Sequence, residues 1–147
     1  GEQMAISKAE WEIMRVVWTK EETTSSEILD ILEDKTDWTA STVKTLLKRL
    51  VDKGYLSTQK VGKSFRYSAL ISENEVMKQE TTDFFNKFCQ RKRVEIVKHL
   101  LESMPMTEAD VTLLDETLLA RKENVLEEVP CDCVDGQCRC KEHLTLE

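Results

Sequence analysis

Apolar side chains recur at helical spacing in three stretches of the first half of the chain. The first stretch follows Ser7-Lys8-Ala9-Glu10 and the second follows Thr24-Ser25-Ser26-Glu27, and both tetrapeptides have the residue pattern of a helix-capping box. The third stretch follows Thr39, which is a suitable N-cap. Its apolar positions have the spacing of one helix face and are Val43, Leu46, Leu47 and Leu50. The pattern predicts three helices, which end near residues 19, 34 and 54.

The hydrophobic period changes from 3.6 to 2 after Gly54. Residues 55–60 and 64–70 are predicted to be strands, and Gly62 between them can adopt the positive φ of a tight hairpin. Three helices followed by a hairpin are the order of a winged helix-turn-helix domain. The sequence therefore predicts a mainly α fold with a small β-hairpin, in which residues 1–71 form a winged helix DNA-binding domain.

Residues 72–129 are predicted to be helical. Ser72-Glu73-Asn74-Glu75 opens this region with a further capping box, and the helical pattern then continues to Met104, with a candidate break at residues 90–93. Thr107 caps a last helix, whose apolar residues Val111, Leu114, Leu118 and Val125 recur at near-heptad spacing. These helices have more apolar surface than they can bury on each other. We expect a helical dimerisation domain and an isologous homodimer.

Charge is distributed unevenly between the two halves of the chain. The formal net charge of -7 argues against a nucleic-acid partner. However, residues 1–71 carry 11 Lys/Arg and 11 Asp/Glu, whereas residues 72–147 carry 10 and 17. Within residues 38–67 the basic side chains are opposed by Asp52 alone. This segment can face DNA, although a solvated basic surface remains the alternative.

Polar side chains on the third predicted helix are of the types that read a DNA major groove. Hydroxyls suit base edges, and lysines suit phosphates. The candidate contacts on this helix are Thr39, Ser41, Thr42, Lys44, Thr45 and Lys48. Those on the hairpin are Lys60, Lys63 and Arg66, which we expect to lie at its tip. An ordinary amphipathic surface helix is the alternative interpretation.

Four of the five cysteines lie within ten residues, Cys131-Asp-Cys133-Val-Asp-Gly-Gln-Cys138-Arg-Cys140. Each Cys-x-Cys pair directs two sulfurs to the same side of an extended segment, and a turn at Gly136 can bring the pairs together. Four thiolates suit tetrahedral Zn(II) or sulfur-bridged Cu(I). We therefore predict a metal-binding tail at residues 130–147 with these four cysteines as ligands. Two disulfides are the alternative.

The remaining cysteine, Cys89, follows a cluster of phenylalanines and is predicted to be a buried packing residue rather than a ligand. His143 is a further ligand candidate, but a solvated histidine is the simpler interpretation because four sulfurs complete a zinc site. No secretory signal opens the sequence, and a cytoplasmic location with reduced thiols is expected.

The sequence has no apolar run of 18 residues and lacks the motifs of common enzymes. A membrane span is therefore not expected. We find no Gly-rich phosphate loop, no histidine-carboxylate metal pair and no plausible Ser/His/Asp set, and Cys-x-Cys is not the usual redox spacing. The chain is predicted not to be an enzyme. A metal buffer or copper chaperone is the main alternative, but such a protein needs no basic helix and wing.

Three segments and the cysteine tail resemble the BlaI/MecI/CopY family of bacterial repressors. The segments are Ile6–Met14, Asp37–Val43 and Gly62–Tyr67, and the spacing Cys-x-Cys-x4-Cys-x-Cys resembles the copper-responsive CopY branch. The resemblance implies a homodimer on a palindromic operator of the TACAnnTGTA kind, contacted through the third helix and the wing. It also implies that the Zn(II) form represses copper-export genes, and that Cu(I) from a copper chaperone displaces Zn(II) and releases the DNA. The β-lactam-responsive branch, relieved by proteolysis, lacks such a tail.

Overall fold

The computed structural model of the protein describes residues 5–134. These residues form six α-helices, a 3-10 helix and three short strands, so the predicted mainly helical fold with a small sheet is confirmed. In chain order the elements are α1 (Lys8–Lys20), β1 (Glu22–Thr23), α2 (Ser25–Leu32), α3 (Ala40–Asp52), β2 (Leu56–Val61), β3 (Ser64–Ala69), α4 (Glu73–Phe85), the 3-10 helix (Gln90–Lys92), α5 (Arg93–Ser103) and α6 (Glu108–Arg121). The chain divides into two compact units, Gly1–Thr81 and Thr82–Glu147.

Side-chain caps start the helices at the predicted residues. Ser7 and Glu10 form a complete capping box at α1, and Thr39 Oγ1 accepts a hydrogen bond from the backbone N–H of Thr42 at α3. Thr24 caps α2 in the same way. Its expected partner Glu27 accepts instead from the hydroxyl of Thr23, at 2.9 Å. Local sequence therefore determines where these helices begin, because a cap joins residues only three positions apart.

The core of the first unit joins α1, α2, α3 and the start of α4. The buried side chains are Ile13, Met14, Val16, Val17, Ile28, Leu32, Val43, Leu46, Leu47, Leu50, Tyr55, Leu56 and Val76. All four apolar positions predicted for α3 belong to this set. Trp18 packs at its edge, where its indole N–H donates to the carbonyl of Ile71 at 3.0 Å.

The sheet has one strand more than the predicted hairpin. β2 and β3 pair antiparallel around Gly62, whose φ of 64° is the positive value expected for this turn. The additional strand β1 pairs with the other edge of β3, with Glu22 opposite Ser68, so the strand order is β1-β3-β2. A strand of two residues is too short to show a hydrophobic period, and the sequence analysis did not predict it.

The expected break between α4 and α5 is present, and it is longer than predicted. α4 ends at Phe85, and α5 begins only after the 3-10 helix. α6 ends at Arg121, so Val125 lies beyond the helix and the predicted heptad stops at Leu118. Backbone hydrogen bonds between residues three apart close the helix, among them Asn124 N–H to the carbonyl of Arg121.

The apolar side chains of α5 and α6 are largely exposed in the single chain. Neither helix has a buried residue, and Val94 and Leu118 are 70% and 63% exposed. Exposed apolar surface on this scale is typical of surfaces that contact another molecule. Within the described part of the chain, no helix is both long and apolar enough to cross a membrane.

An ion pair between a buried carboxylate and a partly buried lysine joins the start of α1 to the end of α3. Lys53 Nζ lies 2.7 Å from Glu10 Oε1 and also donates to the carbonyl of Ala5. Burial raises the pKa of Glu10, but the hydrogen bonds from Lys53 and Ser7 outweigh it and leave the pKa below its ordinary value of 4.5. Glu10 is therefore ionised at neutral pH and depends on Lys53 for compensation.

We predict that Lys53→Met destabilises the protein by about 3 kcal/mol at pH 7, because it leaves a buried carboxylate without its cation. A lowered carboxyl pKa contributes stability above the ordinary value, and this contribution is lost as the pH falls through the folded value. The difference between variant and wild type should therefore shrink below pH 4.5. Urea unfolding at several pH values measures this difference in the free energy of unfolding. Lys44→Met is the matched control, since Lys44 is exposed; equal losses in both variants would refute the ion-pair argument.

Candidate nucleic-acid interface and metal centre

The structure gives α3 one buried and one exposed side. The predicted DNA contacts Ser41, Thr42, Lys44, Thr45 and Lys48 are all exposed, and they lie opposite the four apolar residues that face the core. Thr39, at the N-cap, is exposed as well. The helix N-terminus adds backbone N–H groups and a partial positive charge that favour phosphate. The exposed side thus has hydroxyls near the helix start and ammonium groups along its length.

Three of the hydroxyls on this surface are engaged in local hydrogen bonds. Thr39 Oγ1 lies 3.2 Å from Thr42 Oγ1, and Thr45 Oγ1 donates to the carbonyl of Ser41 at 3.0 Å. A hydroxyl that has donated its proton keeps acceptor capacity. Thr45 therefore suits a donor on a DNA base, such as the exocyclic amino group of adenine or cytosine, without first breaking its bond in the helix.

The hairpin of β2 and β3, called the wing from here on, does not gather its three basic residues at the tip as predicted. Lys60 lies opposite Phe65 and Arg66 lies opposite Gln59, so Lys60 and Arg66 project from opposite faces of the hairpin. Arg66 Nε is 3.8 Å from Glu22 Oε1 on β1. Lys63, in the turn, and Lys60 are both exposed, and residues 5–134 provide neither with an ion pair. These two lysines are thus the wing cations best placed to meet phosphates.

Three cysteine sulfurs converge in the second unit. Cys89 Sγ lies 3.6 Å from Cys131 Sγ, well beyond the roughly 2.05 Å of a disulfide bond. Cys133 completes the group, in which all three sulfurs lie within 4.8 Å of one another. Of the four predicted ligands, Cys131 and Cys133 are therefore brought together, while Cys138 and Cys140 lie outside the described residues. The predicted burial of Cys89 is confirmed, but its position beside Cys131 was missed.

Polar contacts hold the segment before and around Cys131 against the start of α5. The carboxylate of Asp132 accepts from the backbone N–H of Gln90 at 2.9 Å and lies 3.3 Å from the guanidinium of Arg93. Arg91 contacts the carboxylate of Glu128 at 2.6 Å and donates to the carbonyl of Val129. The sequence has no local signal for these contacts, because the partners of the two arginines lie almost forty positions away. They position Cys131 next to Cys89.

The surroundings of Cys89 favour its thiolate. Burial raises the pKa of Cys89, but hydrogen bonds from the backbone of Arg91, from Cys133, from the backbone of Asp132 and from Cys131 together lower it from 9.0 to about 7. A lowered thiol pKa favours metal binding, because the thiolate is the ligand. For a Zn–S bond of about 2.3 Å, tetrahedral geometry places two sulfurs about 3.8 Å apart. The observed separation of 3.6 Å fits a shared thiophilic ion.

Comparisons with known proteins identify relatives over most of the chain. The family model described as "Penicillinase repressor" matches residues 6–120. A protein of Latilactobacillus sakei, described as an uncharacterized 16.5 kDa protein in the ptsI 3' region, is 37% identical over 136 residues, covering 92% of this chain and 93% of that protein. The methicillin resistance regulatory protein MecI of Mammaliicoccus sciuri is 28% identical over 113 residues, covering 77% and 92%. A solved CopR repressor structure is 42% identical, covers 47% of this chain and 100% of that chain, and has a TM-score of 0.41.

The match over residues 6–120 shows that the chain belongs to the penicillinase repressor family. This confirms the family expected from the N-terminal motifs. The class of protein is thus a DNA-binding transcriptional repressor with a small winged helix unit. A group of three cysteines that could hold a metal ion accompanies it.

We predict that Asp132→Asn loosens the segment around Cys131, because a neutral amide gives weaker hydrogen bonds to Gln90 and Arg93 than a carboxylate does. Amide hydrogen exchange of residues 129–134 in the metal-free protein should become faster by severalfold. Asp115→Asn is the control, since Asp115 lies on α6, away from these contacts. Unchanged exchange in Asp132→Asn would show that other contacts hold the segment.

Proposed function

We propose that the protein is a copper-responsive repressor that binds a palindromic operator as a homodimer. The observation that carries the proposal is the convergence of Cys131 and Cys133 in a group of thiols, within a chain of a repressor family. Thiolates select soft ions such as Cu(I) and Zn(II) over Mg(II) or Ca(II). A thiol-metal site gives such a repressor an input that its DNA-binding unit lacks.

The DNA contacts would come from α3 and the wing. The exposed side of α3 would enter the major groove, where Ser41, Thr42 and Thr45 face base edges while Lys44 and Lys48 face phosphates. Lys60 and Lys63 on the wing would contact the adjacent backbone. These contacts explain how a chain with net negative charge can bind DNA, because the acidic residues are concentrated in the other half.

The second unit would supply the dimer contact. Exposed apolar side chains on α5 and α6, including Val97, Leu101, Leu114 and Leu118, line a shared cavity that a single chain leaves open. In an isologous dimer, a second copy of the chain would cover this surface with the same residues of its own α5 and α6. Two copies would place two α3 helices on one palindromic site.

The metal input would use the cysteines of the C-terminal segment, Cys131, Cys133, Cys138 and Cys140. Four thiolates suit Zn(II), and the same sulfurs suit Cu(I), which we expect to displace Zn(II) and to come from a copper chaperone in the cell. Metal exchange must change operator affinity through a coupling free energy, typically about 1 to 3 kcal/mol. Relief by proteolysis and a role as a metal buffer are the alternatives, and neither uses Cu(I) to release DNA.

We predict that Lys44→Ala and Lys48→Ala each weaken operator binding and reduce the slope of log affinity against log salt by roughly 1, because each lysine neutralises one phosphate. Fluorescence anisotropy with a labelled TACAnnTGTA duplex at several salt concentrations measures both. Lys8→Ala is the matched control. Lys8 is an exposed lysine at the start of α1, and this end of α1 contacts the C-terminal end of α3 through the Glu10–Lys53 ion pair, not its N-terminal end. Wild-type slopes in both test variants would exclude α3 lysines as contacts.

We further predict that replacing Cys131, Cys133, Cys138 and Cys140 by serine abolishes the copper response and leaves operator binding by the metal-free protein unchanged. All four cysteines follow α6 in the sequence, and Cys131 and Cys133 lie outside the core of the first unit. The test is an anisotropy titration on the operator duplex, with Zn(II) first and Cu(I) afterwards. If the four-serine protein still releases DNA at the Cu(I) concentration that releases the wild type, these thiols are not the sensor.

A further inference from the structure

We propose that Cys89 is itself a metal ligand, which with Cys131 and Cys133 forms a three-thiolate site for a soft monovalent ion such as Cu(I). This site differs from the four-cysteine set of the C-terminal segment, because it takes one ligand from the junction between α4 and α5. The inference rests on the proposed function in one respect, which is that Cu(I) is the ion these thiols bind.

The separations of the sulfurs support a shared ion. All three sulfurs lie within 4.8 Å of one another, and the Cys89–Cys131 separation is 3.6 Å. For a metal–sulfur bond of about 2.3 Å, a trigonal site places its sulfurs about 4.0 Å apart. Small adjustments of the Cys side chains would therefore suffice to bring the three sulfurs around one ion.

The polar groups around the sulfurs suit thiolates. The backbone N–H of Cys133 donates to Cys131 Sγ at 3.5 Å, and such a bond stabilises a thiolate. Cys89 is only 3% exposed, so a thiolate there is shielded from water and is best balanced by positive charge close to its sulfur. A bound metal ion supplies that charge at the place where it is needed. Burial also keeps oxidants away from a Cu(I)–thiolate unit.

Coordination number distinguishes this site from a zinc site. Structural Zn(II) takes four protein ligands, whereas Cu(I) is stable with two or three sulfurs. The proposed function gives all four tail cysteines to both ions. Here the first Cu(I) equivalent would keep Cys131 and Cys133 and would take Cys89 in place of Cys138 and Cys140. Exchange of Zn(II) for Cu(I) would then transfer the shared cysteines from partners in the tail to a partner in the helical unit. This change of partner couples metal identity to the junction of α4 and α5.

The test is X-ray absorption spectroscopy of the full-length chain loaded anaerobically with one equivalent of Cu(I), with ascorbate as the reductant so that no added thiol or phosphine binds copper. Cys138→Ser/Cys140→Ser keeps the proposed site and should show three sulfur ligands on copper. Adding Cys89→Ser to this variant should reduce the number to two and weaken Cu(I) binding at least tenfold in competition with bicinchoninate. Cys131→Ser/Cys133→Ser is the matched control and should not show three sulfurs.

Only two sulfur ligands on copper in Cys138→Ser/Cys140→Ser would overturn the proposal. This variant keeps Cys89, so a folding defect caused by a substitution at Cys89 cannot explain that result. Three sulfurs that persist after Cys89→Ser would overturn it too, because the third ligand would then come from elsewhere. Helical content by circular dichroism accompanies each variant.

Operator release by wild-type protein separates this inference from the proposed function. Suppose that Cu(I) does not release wild-type protein from the operator, but that copper in Cys138→Ser/Cys140→Ser has three sulfur ligands. This result would reject the copper response and support the three-thiolate site. Copper-dependent release with only two sulfurs in that variant would reject the site and keep the function.

Discussion

The division of α3 into a buried and an exposed side is the constraint on which the DNA-binding unit depends. Val43, Leu46, Leu47 and Leu50 are buried against α1, α2 and the start of β2, and complete burial of such a side chain contributes about 1.5–3 kcal/mol. These four contacts fix the rotation of the helix about its own axis. They therefore also determine that Ser41, Lys44 and Lys48 face outward. The stability of the unit and the alignment of the proposed DNA contacts thus have a single physical origin, and a core substitution in α3 would disturb both.

The second unit rests on a different balance of forces. α5 and α6 leave most of their apolar side chains exposed, so one chain gains little from packing them on each other. A second copy would bury this surface, which links the stability of the unit to dimer formation. The segment around Cys131 is held mainly by hydrogen bonds and ion pairs at partly exposed positions, such as Arg91 with Glu128. Individual surface pairs of this kind contribute little, about 1 kcal/mol or less. A metal ion bound by thiolates would be the dominant interaction in such a segment.

Sharing of Cys131 and Cys133 between two ligand sets offers a physical route from metal identity to operator affinity. A ligand shifts a conformational equilibrium only by as much as its affinities for the two states differ. Zn(II) and Cu(I) would differ in this respect because they require different numbers of sulfurs, and only the copper set includes Cys89. The contacts of Arg91 and Arg93 hold the segment near Cys89. Copper bound by the three thiols would reinforce these contacts, whereas a zinc site completed by Cys138 and Cys140 would not involve Cys89.

The sequence by itself determined the features that depend on neighbouring residues. The caps at Ser7 and Thr39, the buried side of α3 and the turn at Gly62 follow from hydrogen bonds, helix periodicity and backbone sterics within a few positions. Two of the tail cysteines were likewise correctly placed together by their spacing. Tertiary structure alone decided that β1 extends the sheet, that Arg66 meets Glu22 and that Cys89 lies beside Cys131, 42 positions away. A strand of two residues is too short to show a hydrophobic period, and the approach of segments that are far apart in sequence depends on how the whole chain folds. These contacts therefore leave no local pattern in the sequence.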